Sequence, residues 1–234
     1  MFVPLHDDNA LKSIQLQYVT IGLIAVNVIV FALEVLILQE PAIASFAIVP
    51  AELVSTAGMI IPADMPFQSV PVPERLTLIS YMFFHGDVFH LAGNMLFLWV
   101  FGDNVEDAMG HIKFLVFYLL CGVIAGLAHT FMMPGSPNPL IGASGAVAGV
   151  IAAYLMLHPR VRVWVLAFQF IPLRLSAAVV LGVWILTQFI MVLVPEIGPV
   201  AWWAHIGGLV AGAVLIVFMK RPDVPLFDRG LTVA

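Results

Sequence analysis

Apolar residues along this chain come in long blocks separated by polar or proline-rich connections. Val19 to Leu38 is a run of about 20 mostly apolar residues, enough to cross ~30 Å of hydrocarbon, and it carries Asn27 and Glu34. Val88 to Phe101 is a shorter run containing His90 and Asn94. Ile112 to Met133, Gly142 to Leu157, Leu173 to Val194 and Trp202 to Met219 complete a set of six predicted spans. Between the first two, Gln39 to Asp87 holds Pro41, Pro50, Pro62, Pro66, Pro71 and Pro73, which break a continuous helix. Its apolar patches, Ile43 to Val49 and Met59 to Ile61, predict short helices or turns lying in the interface. Gly102 to His111, with Asp103, Glu106 and Asp107, predicts a polar connecting loop. Pro134 to Leu140 and Pro195 to Pro199 predict turns, and His158 to Ile171 a basic, then apolar, connection. Residues 1–17 and 221–234 are expected to be polar tails flanking a membrane domain over 18–220.

Composition agrees with this division. The chain has 234 residues, of which 62% are hydrophobic and 10% charged, and its mean hydropathy is +1.07. A soluble domain of this size does not carry so much apolar surface, so the expected class is an all-α polytopic membrane protein. The first 17 residues show no short apolar core followed by a small-residue cleavage site, so no removable signal is expected, and the first span serves for insertion. One cysteine, Cys121, excludes an internal disulfide. The net charge of −5 says little; the location of the 9 Lys and Arg residues says more. With six spans, Lys12, Lys113, Arg160, Arg162, Arg174, Lys220, Arg221 and Arg229 share the side of the N-terminus, and Arg75 alone lies opposite. That asymmetry predicts both termini in the cytoplasm, with a bacterial cytoplasmic membrane as the expected setting. Ser144 then lies near the outer face. No repeat, low-complexity segment or nucleic-acid-binding patch is present.

The candidate chemistry lies on polar residues within the apolar blocks, where polar groups are costly. Ile141-Gly142-Ala143-Ser144-Gly145 opens a helix after a turn-rich loop. Gly142 tolerates the positive φ such a turn requires. Ser144 follows in the first helical turn, where backbone N–H groups lack intrahelical partners and the dipole favours negative charge. Gly145, Ala148, Gly149 and Ala152 form a small-residue stripe below it. In the last span His205 stands above Gly208 and Gly212 at i, i+3 and i+7, a second such stripe. If the stripes pack, Ser144 and His205 meet at one depth, and a neutral imidazole can take a serine proton. Each feature alone is equally the mark of a helix-packing face. His90 and Asn94, four residues apart, share a face and can donate hydrogen bonds to an oxyanion, or to a neighbouring helix. His85 and His90 invite a metal reading, but no His-Glu-x-x-His helix or cysteine cluster accompanies them, and no metal or cofactor is expected. His129 reads as structural, and Trp202 and Trp203 as interface anchors.

With these residues in view, the chain resembles the rhomboid family of intramembrane serine proteases. The motifs that carry the resemblance are His90-x-x-x-Asn94, Gly142-Ala-Ser144-Gly145, Ala204-His205-Ile-Gly-Gly208 with Gly212, Phe101-Gly102-x-x-x-Glu106-x-x-x-Gly110 and Tyr81-Met-Phe-x-His85-Gly86. They cover roughly residues 18–220 in the family's order. The resemblance implies a six-helix rhomboid-like core, Ser144 as nucleophile and His205 as base. It implies an oxyanion hole from His90, Asn94 and the Ser144 N–H, with Gly145, Gly149, Gly208 and Gly212 as packing positions. The first loop would be the family's membrane-embedded loop and Pro195 to Ala201 a cap. The implied partners are transmembrane protein substrates and the lipid bilayer, with neither nucleic acid nor metal. Two departures stand out. Many members carry Trp-Arg in the first loop, where this chain reads Pro73-Glu-Arg75 without Trp. Some stack a tyrosine on the histidine from one turn below the serine, where this chain has Ala148. No acid is placed to complete a triad, which agrees with a Ser-His dyad. The rival readings are a catalytically inactive relative that binds membrane proteins and a small transporter, the latter predicting broken helices or midplane charges.

Overall fold

The computed structural model describes residues 2–37, 45–56, 72–168, 170–194 and 200–228. Among these, the chain runs through strand β1 (Phe2–Asp7), then helices α1 (Tyr18–Leu36), α2 (Pro50–Thr56) and α3 (Glu74–Ser80). After a 3₁₀ turn at Tyr81–Phe83 come α4 (Val88–Met109), α5 (His111–Met132) and α6 (Ser144–Leu157). Strands β2 (Arg162–Ala167) and β3 (Ile171–Ser176) precede α7 (Ala177–Val192) and α8 (Trp202–Met219). The fold is helical, as expected for this class. Helices α1, α5 and α8 are long and apolar enough to span a membrane, and α6 and α7 are shorter apolar helices. Together with α4 they correspond in order to the six predicted spans. Apolar side chains on their outer faces are exposed, among them Ile29 and Leu33 on α1 and Leu186 and Ile190 on α7. Contiguous exposed apolar surface of this kind requires an apolar surrounding.

The acidic stretch from Gly102 to His111 is not the expected loop. Helix α4 runs on to Met109, and Gly110, at φ +85°, alone separates it from α5. The carboxylates are used on other elements rather than solvated. Glu106, fully buried, accepts from the backbone N–H of Val19 at 3.0 Å and of Thr20 at 2.8 Å, and from the Thr20 hydroxyl at 2.7 Å. It thereby caps the start of α1, whose own N-cap residue offers no side-chain bond. Asp107 does the same for the loop before α1, accepting from the N–H groups of Lys12, Ser13 and Ile14.

Three strands depart from the all-α expectation. They form one antiparallel sheet in the order β1-β2-β3, pairing Val3 with Leu166 and Val165 with Leu173. Residues 1–17 therefore contribute a strand where a tail is expected, and the run from Leu173 begins as strand before helix α7 starts at Ala177. Along β2, Val163, Val165 and Ala167 point inward and are buried, while Arg162 and Trp164 face out, the two-residue alternation of a half-buried strand. The expected patches over 59–61 and the turn over 195–199 lie outside the described residues.

Helix α6 is the core of the bundle. Gly145 through Tyr154 and Leu157 are buried, so it is covered on every side, as a helix apolar all round must be. It packs on α8 through glycines. A Cβ on Gly208 would run into the backbone of Gly145, and one on Gly212 into that of Gly149, 2.5 Å from its Cα. The two helices thus run in the same direction with backbones in contact. A Cβ on Gly149 would in turn lie 2.5 Å from Cys121 Sγ of α5 and 3.3 Å from the Gly208 carbonyl oxygen of α8, so three helices meet at this glycine.

Candidate active site

The loop into α6 is built around Gly142, which sits at φ +121°. Its N–H donates to the Tyr81 carbonyl at 2.9 Å, tying the loop to the 3₁₀ turn. The bridge between Ile48 and Leu140 holds it from the other side. A side chain at 142 is excluded twice, by the backbone angle and by space, since a Cβ there would lie 2.7 Å from both Cε1 and Nε2 of His90. Helix α6 then begins at Ser144, and no side chain caps its first-turn N–H groups.

Close backbone contact between α6 and α8 brings their first turns together. Ser144 Oγ lies 2.8 Å from His205 Nε2. Ser144 is half-buried, whereas His205 is 8% exposed. The other ring nitrogen, Nδ1, lies 2.8 Å from Gln188 Oε1 on α7. The indoles of Trp184 and Trp202 flank the imidazole, each with its ring centroid 5.9 Å away. No carboxylate contacts His205 among the described residues.

His90 and Asn94 come to the same place from α4. Asp87 caps that helix, accepting from the N–H of Phe89 at 2.7 Å and of His90 at 2.9 Å. These bonds, the one from His90 foremost, hold the Asp87 carboxyl below its ordinary range. One turn further, Asn94 is buried, and its Nδ2 has no hydrogen-bond partner among the described residues. That nitrogen would lie 3.9 Å from a Cβ on Gly142. A buried donor without a protein partner, beside the Gly142 turn that leads into Ser144, is free to serve an acceptor placed there. The His85 ring stacks edge-to-face on His90 at 5.0 Å. His129, in the last turn of α5, stands with Nδ1 unpaired among the described residues. Arg75 lies exposed on α3.

The structure therefore brings together Ser144, His205, His90 and Asn94, and adds Gln188, which the sequence reading passes over. Its signal was a polar amide inside the apolar run Leu173 to Val194, the kind of residue that is costly in hydrocarbon without a purpose. Chemically, the group offers a hydroxyl, a base in contact with it, and convergent N–H donors.

A polytopic helical membrane protein with a serine–histidine pair at the junction of two helix starts is the class this fold and site define. Residues 73–222 match the family model described as the Rhomboid domain, and the chain belongs to the rhomboid family. The human Presenilin-associated rhomboid-like protein, mitochondrial, is 32% identical over 160 residues, which are 67% of this chain and 36% of that protein. RHOMBOID-like protein 12, mitochondrial, of Arabidopsis thaliana is 28% identical over 155 residues, 59% of this chain and 44% of its own length. Rhomboid protein 1, mitochondrial, of Saccharomyces cerevisiae is 30% identical over 109 residues, 44% of this chain and 31% of its own. The chain thus spans less than half the length of these relatives. Membership supports an intramembrane-protease-like function. All three relatives carry mitochondrial names, so the bacterial setting expected above draws no support from them.

Proposed function

We propose that the protein is an intramembrane serine endopeptidase that cleaves transmembrane segments of other membrane proteins, with Ser144 as nucleophile and His205 as general base. The observation that carries this reading is the 2.8 Å contact between Ser144 Oγ and His205 Nε2. In the first step Oγ attacks the peptide carbonyl carbon, its proton passes to Nε2, and the carbonyl π pair moves onto oxygen. That oxyanion accepts from the Ser144 N–H, Asn94 Nδ2 and His90. Collapse restores the carbonyl, breaks the C–N bond, and delivers the Nε2 proton to the departing amine. Water then attacks the acyl-enzyme by the same path and frees Ser144. The scheme calls for no metal or cofactor.

The substrate must present an open backbone, because a helix in lipid uses its carbonyls in its own ladder. The resemblance to the rhomboid family implies, in addition, small residues at the scissile bond. Within the membrane domain over residues 18–220, the lysine and arginine distribution supports cytoplasmic termini and a site near the opposite face. The test is labelling by a serine-reactive fluorophosphonate in detergent, together with cleavage of a model transmembrane substrate. The parent chain labels and cleaves, and Ser144→Ala does neither while remaining folded. Full cleavage by purified Ser144→Ala overturns the reading.

A further inference from the structure

We propose that Gln188 is a positioning residue for the Ser144–His205 pair: its side-chain oxygen holds His205 as the Nδ1–H tautomer and leaves Nε2 as the acceptor facing Ser144. The role in turnover rests on the protease reading above; the tautomer itself does not.

What each atom can donate or accept sets the direction of these bonds. A glutamine side chain presents a donor end and an acceptor end, and its neighbours decide which faces which way. The Gln188 amide touches two groups. One is the backbone carbonyl of Trp184, 2.8 Å from Gln188 Nε2. A carbonyl oxygen only accepts, so the NH₂ end must face it. Turning the amide over would set two acceptor oxygens against each other at hydrogen-bond distance. The Gln188 oxygen therefore faces His205, and an amide oxygen also only accepts. Nδ1, at 2.8 Å, must then carry the hydrogen. A neutral imidazole holds one N–H, so Nε2 is bare, and the Ser144 hydroxyl donates to it at 2.8 Å. The result is one directed chain: Ser144 O–H to His205 Nε2, His205 Nδ1–H to Gln188 Oε1, Gln188 N–H to the Trp184 carbonyl.

Its setting keeps the chain ordered. Gln188 is 3% exposed, so water does not compete for either end of the amide. Trp184 and Gln188 are four residues apart on α7, so the anchoring carbonyl belongs to the same helix as the amide it orients. The Trp184 indole also leans on the imidazole, tilted by 36°. The arrangement supplies what the carboxylate of a Ser-His-Asp triad supplies in orientation and tautomer, but without the counter-charge for an imidazolium. The titratable groups acting on His205 are His90 of α4 and His129 of α5.

The test uses the full chain in detergent micelles with two readouts. The first is ¹⁵N NMR of histidine-labelled protein, with the His205 signals assigned by their loss in His205→Asn. The expected result is a protonated Nδ1 and an unprotonated Nε2 at neutral pH, in the parent and in Ser144→Ala alike. A protonated Nε2 overturns the proposal whether or not the protein cleaves anything. The second is cleavage of a model transmembrane substrate across pH. Gln188→Met keeps length and removes the acceptor. It is expected to lower kcat roughly 10–100-fold with KM unchanged, less than the ~10⁴-fold that a wrong tautomer costs a Ser-His-Asp enzyme. Gln188→Glu restores an acceptor at Nδ1 but loses the donor to the Trp184 carbonyl; it is expected to recover part of the kcat lost in Gln188→Met and to move the acid limb of the profile upward, because a carboxylate at Nδ1 stabilises imidazolium. A merely structural glutamine would not show the loss of kcat at unchanged KM in Gln188→Met together with its partial rescue in Gln188→Glu. Parent-like kcat and acid limb in both variants overturn the positioning role. If the parent neither cleaves nor labels at Ser144, the protease reading fails, and the NMR result still decides the tautomer.

Discussion

A Cβ built on Gly208 would run into the carbonyl of Gly145, so the helices that carry His205 and Ser144 touch backbone to backbone. The 2.8 Å contact between the two functional side chains depends on that approach, because both stand at the starts of those helices. Gly208→Ala is expected to cost about 1–3 kcal/mol as an overpacking change and to lower turnover together with stability. Gly182→Ala on α7, where a Cβ meets nothing within 4 Å, is the control and is expected to cleave like the parent and to melt no lower. Thermal melts in detergent and substrate cleavage check both. A Gly208→Ala protein that melts and cleaves like the parent would remove these glycines as the determinant of the pair.

The small-residue stripes were legible because their spacing needs no partner to be read: Gly208 and Gly212 fall on one helix face whatever lies opposite. Ser144 and His205 followed from them, since each stands at the head of its stripe. Gln188 was harder to read, as a single amide in an apolar run does not say which neighbour it meets. The acidic stretch misled for a physical reason. Asp103, Glu106 and Asp107 have the composition of a solvated loop, yet Glu106 and Asp107 serve backbone N–H groups more than 80 residues away. The sheet was hidden likewise. Val163, Val165 and Ala167 show the two-residue period, but β1, the strand that covers one edge, comes from the far end of the chain.

Asn94 is placed to donate to charge that exists only in the transition state, since its Nδ2 is buried and unpartnered beside Gly142 among the described residues. Asn94→Ala is therefore expected to lower kcat and leave KM near its parent value. Loss of one such donor costs on the order of 10²–10³ elsewhere. The effect here is expected at or below the lower end, because His90 and the Ser144 N–H share the oxyanion. A raised KM with unchanged kcat would make Asn94 a substrate-binding group instead.

Glu106 caps a helix that is not its own. Both oxygens are engaged, one by the Val19 N–H and the His111 ring, the other by the Thr20 N–H and hydroxyl. Glu106→Gln turns one of those acceptors into a donor and leaves a buried N–H or hydroxyl without a partner. The expected cost is about 1–3 kcal/mol, with a larger loss for Glu106→Ala, and no direct effect on the site. A melt in detergent measures the first, and fluorophosphonate labelling of the folded variant measures the second. An unchanged melting temperature in both variants would show that α1 does not depend on this cap.

The N-terminal strand carries a pH dependence whose sign follows from Asp7. Its side chain is buried between the sheet and the bundle, where the Tyr154 hydroxyl donates to Oδ2 at 2.5 Å and Asn104 Nδ2 donates at 3.3 Å. Burial pushes the carboxyl from 3.8 up to about 6, against the opposing pull of the Tyr154 bond and of His6, while Asp8 adds to the rise. Asp103 is the other acid beside it. A carboxyl whose pKa is higher folded than unfolded favours the folded state in its protonated form. That contribution is complete below about 3.8, is lost as pH rises through about 6, and is absent above. Its size is at most roughly 3 kcal/mol. Docking of β1 on β2 is therefore expected to be tighter at pH 5 than at pH 7. Hydrogen exchange of the Val3 and Leu166 amides, or proteolysis within residues 8–17, reads this directly. Asp7→Asn holds the neutral form at every pH, and it is expected to flatten the profile at the protected level. Exchange in the parent that does not slow between pH 7 and pH 5, once corrected for intrinsic rates, would mean that Asp7 ionises without loosening the strand.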